Sequence, residues 1–334
     1  MYRRYTGAFI LVLFVTLFPM AAAKKSQPPK WIVSDTLEAV YSSEAYISAI
    51  GWGMSQEEAL VSADAGIGRY FQQSVNSLIV ATQNAKNTSG VTASNERELQ
   101  RQIVITSTAK LFAIQHTNPW YEESSQRYAV CAYIERKEAW KMYEPYLKTK
   151  VETFLGLYTN AKNQSDDFLS VILYSKADQY AQSNNLADII MFGHALYPHG
   201  ALYYNNVLEN ISLLPADIQR RATACSIVLI CHADCDGLVS AAVSERFEEL
   251  QFSVVQYETH YCCHILVAEN KQELAAGIFY TPSVQITVQK EGDVLYSYSK
   301  TVPRTGARNT IVAQQRAYKA LVQEIRASFL YWTE

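Results

Sequence analysis

The sequence predicts an α+β fold in which two small α/β sandwich-like domains are separated by a helical insert, after a cleaved signal peptide. Three observations lead to this prediction. The N-terminus has the pattern of a secretory leader. The stretch that follows the leader and the C-terminal third both alternate strand and helix patterns, and the stretch between them is helical throughout. The chain has 334 residues, which is too many for one typical domain. The predicted divisions are a signal peptide at 1–23, a linker at 24–30, a first α+β domain at 31–144, the helical insert at 145–216 and a C-terminal α/β domain at 217–334.

Composition and charge narrow the class of protein. Hydrophobic residues make up 49% of the chain and charged residues 18%, a balance typical of a globular protein that buries ordinary cores. The formal net charge is −3, and removal of a leader that contains Arg3 and Arg4 makes it more negative. Because nucleic-acid binders need a basic footprint, this charge argues against a nucleic-acid partner.

The first residues predict export. Arg3 and Arg4 form a short basic region, Ala8 to Phe18 is an apolar run, and the alanines up to Ala23 suit a signal peptidase. The apolar run is too short to span a bilayer, so we expect cleavage and no stable transmembrane span, with a retained anchor as the alternative. The expected location is periplasmic or associated with the outer membrane.

The first domain is predicted to start with a strand followed at once by a helix. Ala45–Gly53 reads as a strand that ends in glycines, and Ser55 with Glu58 forms a capping box, in which each side chain accepts a hydrogen bond from the other residue's backbone N–H. The helix carries an apolar stripe at spacing four that begins with small residues and permits close packing on a sheet: Ala59, Ala63, Ile67 and Phe71. The later elements are predicted as a loop at 83–98, an irregular strand at 102–114, a strand at 128–134 and a helix at 135–143.

The remaining chain is predicted from helix breaks and apolar runs. The helical insert is a hairpin or a three-helix unit, broken at the Asn-rich stretches 160–165 and 183–185. In the C-terminal domain, Ser226–Ile230 is an apolar strand of the kind buried on both faces of a sheet. A helix at 238–250 and further strands follow. The closing helix has one stripe at helical spacing: Ile311, Gln315, Tyr318, Val322, Ile325 and Phe329.

Several motifs of the first domain occur in a known order: Pro29-Lys30-Trp31, Gly51-Trp52-Gly53, Ser55 to Ala59, and Tyr128 to Arg136. With them, residues 31–144 resemble the Lpp-twenty lipoprotein domain and the N-terminal domain of the flagellar T-ring protein FlgT. The C-terminal domain, by element order, is similar to the small α/β domain of FlgT and of TolB-like periplasmic proteins. The resemblance implies a periplasmic or outer-membrane-associated assembly protein and carries over no catalytic residues. One departure is that no cysteine precedes Cys131, so the acylated N-terminal cysteine of the lipoproteins is missing.

Five of the six cysteines lie in the C-terminal domain among histidines, and three interpretations stay open. Two short segments would supply the thiolate and imidazole ligands of a tetrahedral zinc site if they lay side by side: Cys231, His232, Cys235, His260, Cys262, Cys263 and His264. The spacing supports zinc only weakly, because Cys262 and Cys263 face opposite sides in a strand. Export and the even count favour disulfides, with Cys231 or Cys235 joined to Cys262 or Cys263. In the third interpretation the thiols are free and buried.

The sequence has no G-x-S-x-G, H-E-x-x-H or G-x-x-x-x-G-K motif, so we expect no enzyme and no cofactor. Trp52, Trp120 and Tyr121 fall in or beside predicted loops, where large aromatic side chains are candidate interaction residues. The function hypothesis is an exported, non-enzymatic structural or assembly factor at the outer membrane, cell wall or flagellar basal body. Its expected partners are envelope proteins or further copies of itself. The alternatives are a zinc module or enzyme at the Cys/His cluster, and a periplasmic module that holds a ligand between the first and C-terminal domains.

Overall fold

The protein has a mixed α+β fold in which helices join two β-sheets, as predicted. The computed structural model describes residues 27–32, 34–85, 114–234 and 236–330. The first part of the chain contains a 3-10 turn (Lys30–Ile32), α1 (Ser34–Val40), β1 (Tyr46–Gly53), α2 (Gln56–Ala85), β2 (Gln115–His116), β3 (Trp120–Glu122) and β4 (Arg127–Glu135). β4 is the central strand of this antiparallel sheet: β1 pairs with one of its edges, and β2 and β3 pair with it as well. The predicted strand at 102–114, apart from its last residue, and residues 86–98 of the predicted loop lie outside the described residues, whereas residues 83–85, predicted as the start of that loop, are the end of α2.

Helix α2 lies directly against β1 because the residues at the contact are small. A Cβ on Gly51 would collide with backbone atoms of Ala59 and Ala63, so only glycine permits this separation. The start of the helix is capped as predicted by Ser55, whose Oγ accepts from the Glu58 N–H at 3.1 Å. The return half of the capping box differs, because the Glu58 carboxylate accepts from the N–H of Met54, at 2.7 Å, rather than from Ser55.

The helical region follows β4 without a loop. It contains α3 (Arg136–Asn163), α4 (Asp167–Ser183), α5 (Leu186–Leu196), α6 (Pro198–Ala201), a 3-10 turn (Leu202–Tyr204) and α7 (Asn205–Ala222). The breaks after Asn163 and Ser183 fall in the predicted Asn-rich stretches. Helix α3 continues through the predicted domain division at residue 144, with Pro145 inside it, so the first sheet and the helical region share one helix.

Arg136, the first residue of α3, joins the first sheet to the helical region. Its buried guanidinium donates to the carbonyl oxygens of Ala195 (2.7 Å) and Leu196 (2.8 Å) at the end of α5. It also donates to the Ser43 carbonyl at 2.9 Å and to the Tyr70 hydroxyl at 2.7 Å. The last carbonyls of a helix have no partner within the helix, so this cation completes α5 from a distant part of the sequence.

The C-terminal part forms the second sheet and two helices. Its elements are β5 (Ser226–His232), α8 (Leu238–Glu249), β6 (Ser253–Val255), β7 (Tyr261–Leu274), β8 (Gly277–Lys290), β9 (Asp293–Thr301), β10 (Thr305–Ala307) and α9 (Thr310–Ser328). β5 is parallel to β6 and β7, β8 is antiparallel to β7, and β9 and β10 both pair with the other edge of β8. Helices α8 and α9 cover one face of this sheet.

The closing helix forms where predicted, and Tyr318, Ile325 and Phe329 of its predicted stripe are buried, but the first part of the stripe, with Ile311 and Gln315, is exposed. Ile311, the first residue of the predicted stripe, is 65% exposed, whereas Ala313 and Ala317 are fully buried beside Tyr280 of β8. Small residues bring the N-terminal half of α9 close to the sheet, and the large residues Ile325 and Phe329 fill the core at its other end. Apolar spacing alone therefore misplaced the first turn of the buried face.

Asp166 connects the helical region to the second sheet. As the N-cap of α4 it accepts from the Leu169 N–H at 3.1 Å, and it also accepts from the Lys290 ammonium at 2.9 Å and the Tyr261 hydroxyl at 3.1 Å. Burial by itself would raise the pKa of Asp166, but the hydrogen bonds from Lys290 and the Leu169 N–H lower the pKa below its ordinary value.

This pKa predicts how stability depends on pH. A carboxyl group whose pKa is lowered by folding stabilises the fold above its unfolded pKa, about 3.9, and the contribution is lost as the pH falls through the folded pKa. We expect Asp166→Asn to lower the free energy of unfolding by about 1–2 kcal/mol at pH 7 and to converge with the wild type in acid. Urea denaturation over this pH range measures the difference. Asp293→Asn, at the exposed start of β9, is the control, and a pH-independent difference for Asp166→Asn would contradict the assignment.

Candidate interaction surfaces

The first candidate surface lies on the face of the first sheet away from α2. Trp52 of β1 and Trp120 of β3 both stand opposite Ala129 of β4, so the three side chains share one row. The two indoles meet edge to face with ring centroids 6.4 Å apart. The Arg127 guanidinium lies over the Trp52 ring at 5.7 Å, a cation–π arrangement that holds an amphipathic side chain at the edge of the row. We call Trp52, Trp120 and Arg127 the aromatic row.

The chain just before β1 covers the other part of this sheet face. Trp31 is buried against Ala129 and Cys131, and Leu37 and Tyr41 of the following segment pack around it. The aromatic row therefore borders the segment that follows the predicted leader. Trp31 of the Pro-x-Trp motif is therefore a core residue, whereas Trp52 and Trp120 are half-buried and Arg127 is exposed.

Tyr121, the third predicted interaction residue, lies on the opposite face. It is one position along β3 from Trp120 and stands opposite Tyr128, with ring centroids 5.0 Å apart. Successive side chains of a strand point to opposite faces. The structure therefore brings two of the three predicted residues together and separates the third, and it adds Arg127, which the sequence did not single out.

The strand register divides the predicted Cys/His cluster between two faces of the second sheet. Cys231 and Cys263 point to the side covered by helices, whereas His232, Cys262 and His264 point to the other side. His260 instead pairs with Glu291 at 2.9 Å, and Cys235 lies outside the described residues. Within the ranges that the structure describes, no three His, Cys, Asp or Glu side chains are grouped so that they could hold a metal ion.

The described cysteines carry free thiols: Cys131, Cys225, Cys231, Cys262 and Cys263. Burial raises the pKa of Cys131 to about 11 and that of Cys225 to about 12, which disfavours the reactive thiolate at neutral pH. Cys231 and Cys262 face opposite sides of the sheet, so they cannot pair without backbone movement. A disulfide that involves Cys235 remains a prediction.

The second candidate surface is the face of the second sheet that α8 and α9 leave uncovered. Ile230 is 37% exposed there and Leu266 51%, so β5 is buried on one face only and the prediction that both its faces are buried is wrong. We call this surface the open face; its members alternate along five strands: Ser226, Val228, Ile230, His232, Ser253, Val255, Cys262, His264, Leu266, Ala268, Ser283, Gln285, Thr287, Gln289, Val294, Ser297, Ser299 and Thr301. The alternation of polar residues in β8 and β9 was the sequence signal for a solvent-facing side.

A cleft of about 450 Å³ lies between the helical region and the second sheet. Its apolar lining includes Ile172, Leu250 and Tyr296, and charges of both signs line it as well: Lys176, Asp178, Arg246 and Glu249. Burial lowers the pKa of Lys176. Arg246 donates to the carbonyl of Phe329 at 3.1 Å and so completes the end of α9. The ligand-binding alternative placed its site between the first and C-terminal domains, whereas this cleft adjoins the helical region.

No helix in the described part of the chain is both long and apolar enough to cross a membrane. No protein-family model matches the chain, and no curated protein matches it. Solved structures to which it is distantly similar are bacterial lipoproteins and a secreted protein.

The secreted protein is HP1454 from Helicobacter pylori, which is 12% identical over 86% of this chain and 99% of its own, with a TM-score of 0.33. A minor lipoprotein from Acinetobacter baumannii is 13% identical over 31% of this chain and 90% of its own, with a TM-score of 0.26. Lipoprotein GNA1162 from Neisseria meningitidis is 14% identical over 31% of this chain and 99% of its own, with a TM-score of 0.23.

Proposed function

We propose that this chain is an exported, non-enzymatic protein of the cell envelope that binds an envelope protein through the aromatic row and acts as a structural or assembly factor. The leader supports the compartment, because a basic region, an apolar run and small residues before residue 24 form a signal for secretion. The partner belongs to the outer membrane, the cell wall or the flagellar basal body.

The observation that carries the proposal is the grouping of two half-buried indoles, Trp52 and Trp120, with the exposed Arg127 in one patch. Tryptophan and arginine are enriched among the residues that dominate binding energy, and such residues sit in patches that a partner can desolvate. The indoles are already held by each other and by the sheet, so little side-chain freedom is lost when a partner binds.

The rest of the fold presents this patch rigidly. Residues of the first sheet, the helical region and the second sheet belong to one continuous hydrophobic core, from Ile47 to Leu330. Arg136 and Asp166 add hydrogen-bonded links across the two junctions. A rigid body that carries a fixed aromatic patch suits a scaffold, because binding energy is not spent on ordering the chain.

In-cell photo-cross-linking tests the proposal. A photoreactive amino acid at Glu122, which stands opposite Arg127 on the same face of the sheet as Trp120, should give adducts with a defined envelope protein that mass spectrometry identifies. We expect Trp120→Ala to reduce the adducts at least about tenfold, since hot-spot tryptophans contribute about 2 kcal/mol or more to binding.

The matched control is Tyr203→Ala, which removes an aromatic side chain that is 81% exposed on the helical region. It should leave the adducts unchanged. Adducts that survive Trp120→Ala in a folded variant, or adducts only with cytoplasmic proteins, would contradict the proposal.

A further inference from the structure

The open face of the second sheet has an unusual chemical composition for exposed surface. Aspartate, glutamate, lysine and arginine are absent from its 18 members, although they make up 18% of the chain. Its β5–β7 half is mainly apolar, with Val228, Ile230 and Leu266, although it also carries His232 and His264. Its β8–β9 half carries hydroxyl and amide groups, such as Thr287 and Ser299. Depletion of charge at an exposed patch is the compositional mark of the centre of a protein interface.

We propose that the open face is a homodimer interface, in which it packs against the same face of a second copy of this chain. Because none of its members is Asp, Glu, Lys or Arg, the face offers little to select a charged partner, and it meets its own copy without repulsion between such side chains. Closed two-fold dimers use one self-complementary patch on both subunits. The proposal is independent of the aromatic row, which lies on the other sheet.

The apolar and polar halves determine the direction of the two-fold axis. An axis in the plane of the interface and perpendicular to the strands places β5 and β7 of one copy over β5 and β7 of the other, so that apolar side chains meet. The middle row of the face is Ile230, His264 and Thr287, which stand opposite one another in the strand register. Cys262 and Leu266 lie in the rows on either side of this middle row. With the axis along the middle row, Cys262 of one copy therefore lies over Leu266 of the other.

The size of the face matches a specific but modest interface. Five strands spaced about 4.8 Å apart and six steps of about 3.4 Å along β7 give a footprint of about 24 by 20 Å on each copy. Two copies then bury on the order of 1,000 Å² in total, at the lower end for a specific protein interface. Two sheets that pack face to face align their strands within about 30°, which is compatible with this axis.

Analytical ultracentrifugation of the mature chain tests the proposal. Between about 1 and 100 µM, we expect the weight-average mass to rise from that of a monomer to that of a dimer. Ile230→Lys and Leu266→Lys place two uncompensated charges in each interface and should each raise the dissociation constant at least about tenfold. Ile311→Lys is the matched control, because Ile311 is an exposed isoleucine on α9, on the covered side of the sheet; it should leave the dissociation constant unchanged.

A measurement on the unmodified chain complements the variants. The alkylation rate of Cys262, followed by peptide mass spectrometry, should fall at least several-fold between low and high protein concentration, because the second copy covers this thiol. A wild-type chain that stays monomeric at about 100 µM, a dimer that Ile230→Lys leaves intact, or a Cys262 rate independent of concentration would overturn the proposal.

Discussion

Gly51→Ala is expected to lower the free energy of unfolding by about 3 kcal/mol or more. The new Cβ would collide with the backbone of α2 at Ala59 and Ala63. Backbone atoms of a helix cannot change rotamer to relieve a collision as a flexible side chain does, so the whole helix must move away from the sheet. That displacement opens the contacts of Ile67 and Phe71, both fully buried. The shift of the denaturation midpoint in guanidinium chloride, at constant slope, measures the loss.

Gly68→Ala, on the helix α2 that Gly51 of β1 contacts, is the matched control. A Cβ at Gly68 meets nothing within 4 Å, so alanine there should stabilise the protein by about 0.5–1 kcal/mol, because glycine costs backbone entropy in a helix interior. The two identical chemical changes are thus expected to have opposite signs. Equal effects at both positions would refute the close contact between α2 and β1.

Arg136→Met is expected to destabilise the protein by about 3–5 kcal/mol. Methionine keeps much of the aliphatic stem but removes the donors, which leaves the carbonyls of Ala195 and Leu196 at the end of α5 without the guanidinium and the Tyr70 hydroxyl without its donor. Buried polar groups that lose their partner cost their full desolvation energy. Because Arg136 joins the first sheet to the helical region, we also expect a broader transition in chemical denaturation.

Lys137→Met tests whether the effect belongs to the buried guanidinium. Lys137 is the neighbouring residue of α3 and is exposed, so its loss should change stability by less than about 0.5 kcal/mol. If Arg136→Met and Lys137→Met denature at the same midpoint, the link between the two regions does not contribute as we infer.

Local patterns predicted much of the fold. The glycines before Ser55, the cap itself and the small residues at spacing four are all within about 20 positions of one another, and they correctly predicted that α2 packs closely on β1. The Asn-rich stretches also correctly predicted where helices α3 and α4 end. Arg136 appeared in the sequence only as the end of a motif, since its acceptors at Ala195 and Leu196 lie about 60 positions away.

The composition of the candidate surfaces could be predicted less well from the sequence. Trp52 and Trp120 were named as separate residues, and only the pairing of β1 and β3 with β4 places them in one row and turns Tyr121 to the other face. The apolar run of β5 predicted burial on both faces, because such a run has the same pattern whether or not a second layer covers it.

By itself, the sequence determined the α+β class and the order of most elements, and it predicts an export signal, because capping, apolar periodicity and leader recognition depend on residues close together in the chain. Tertiary structure decided which faces are covered, which side chains share a row and where the Cys/His cluster divides. Those features depend on strand register and on the layer that packs above each sheet. A shift of one position in register sends every side chain of a strand to the opposite face, and no local pattern specifies that choice.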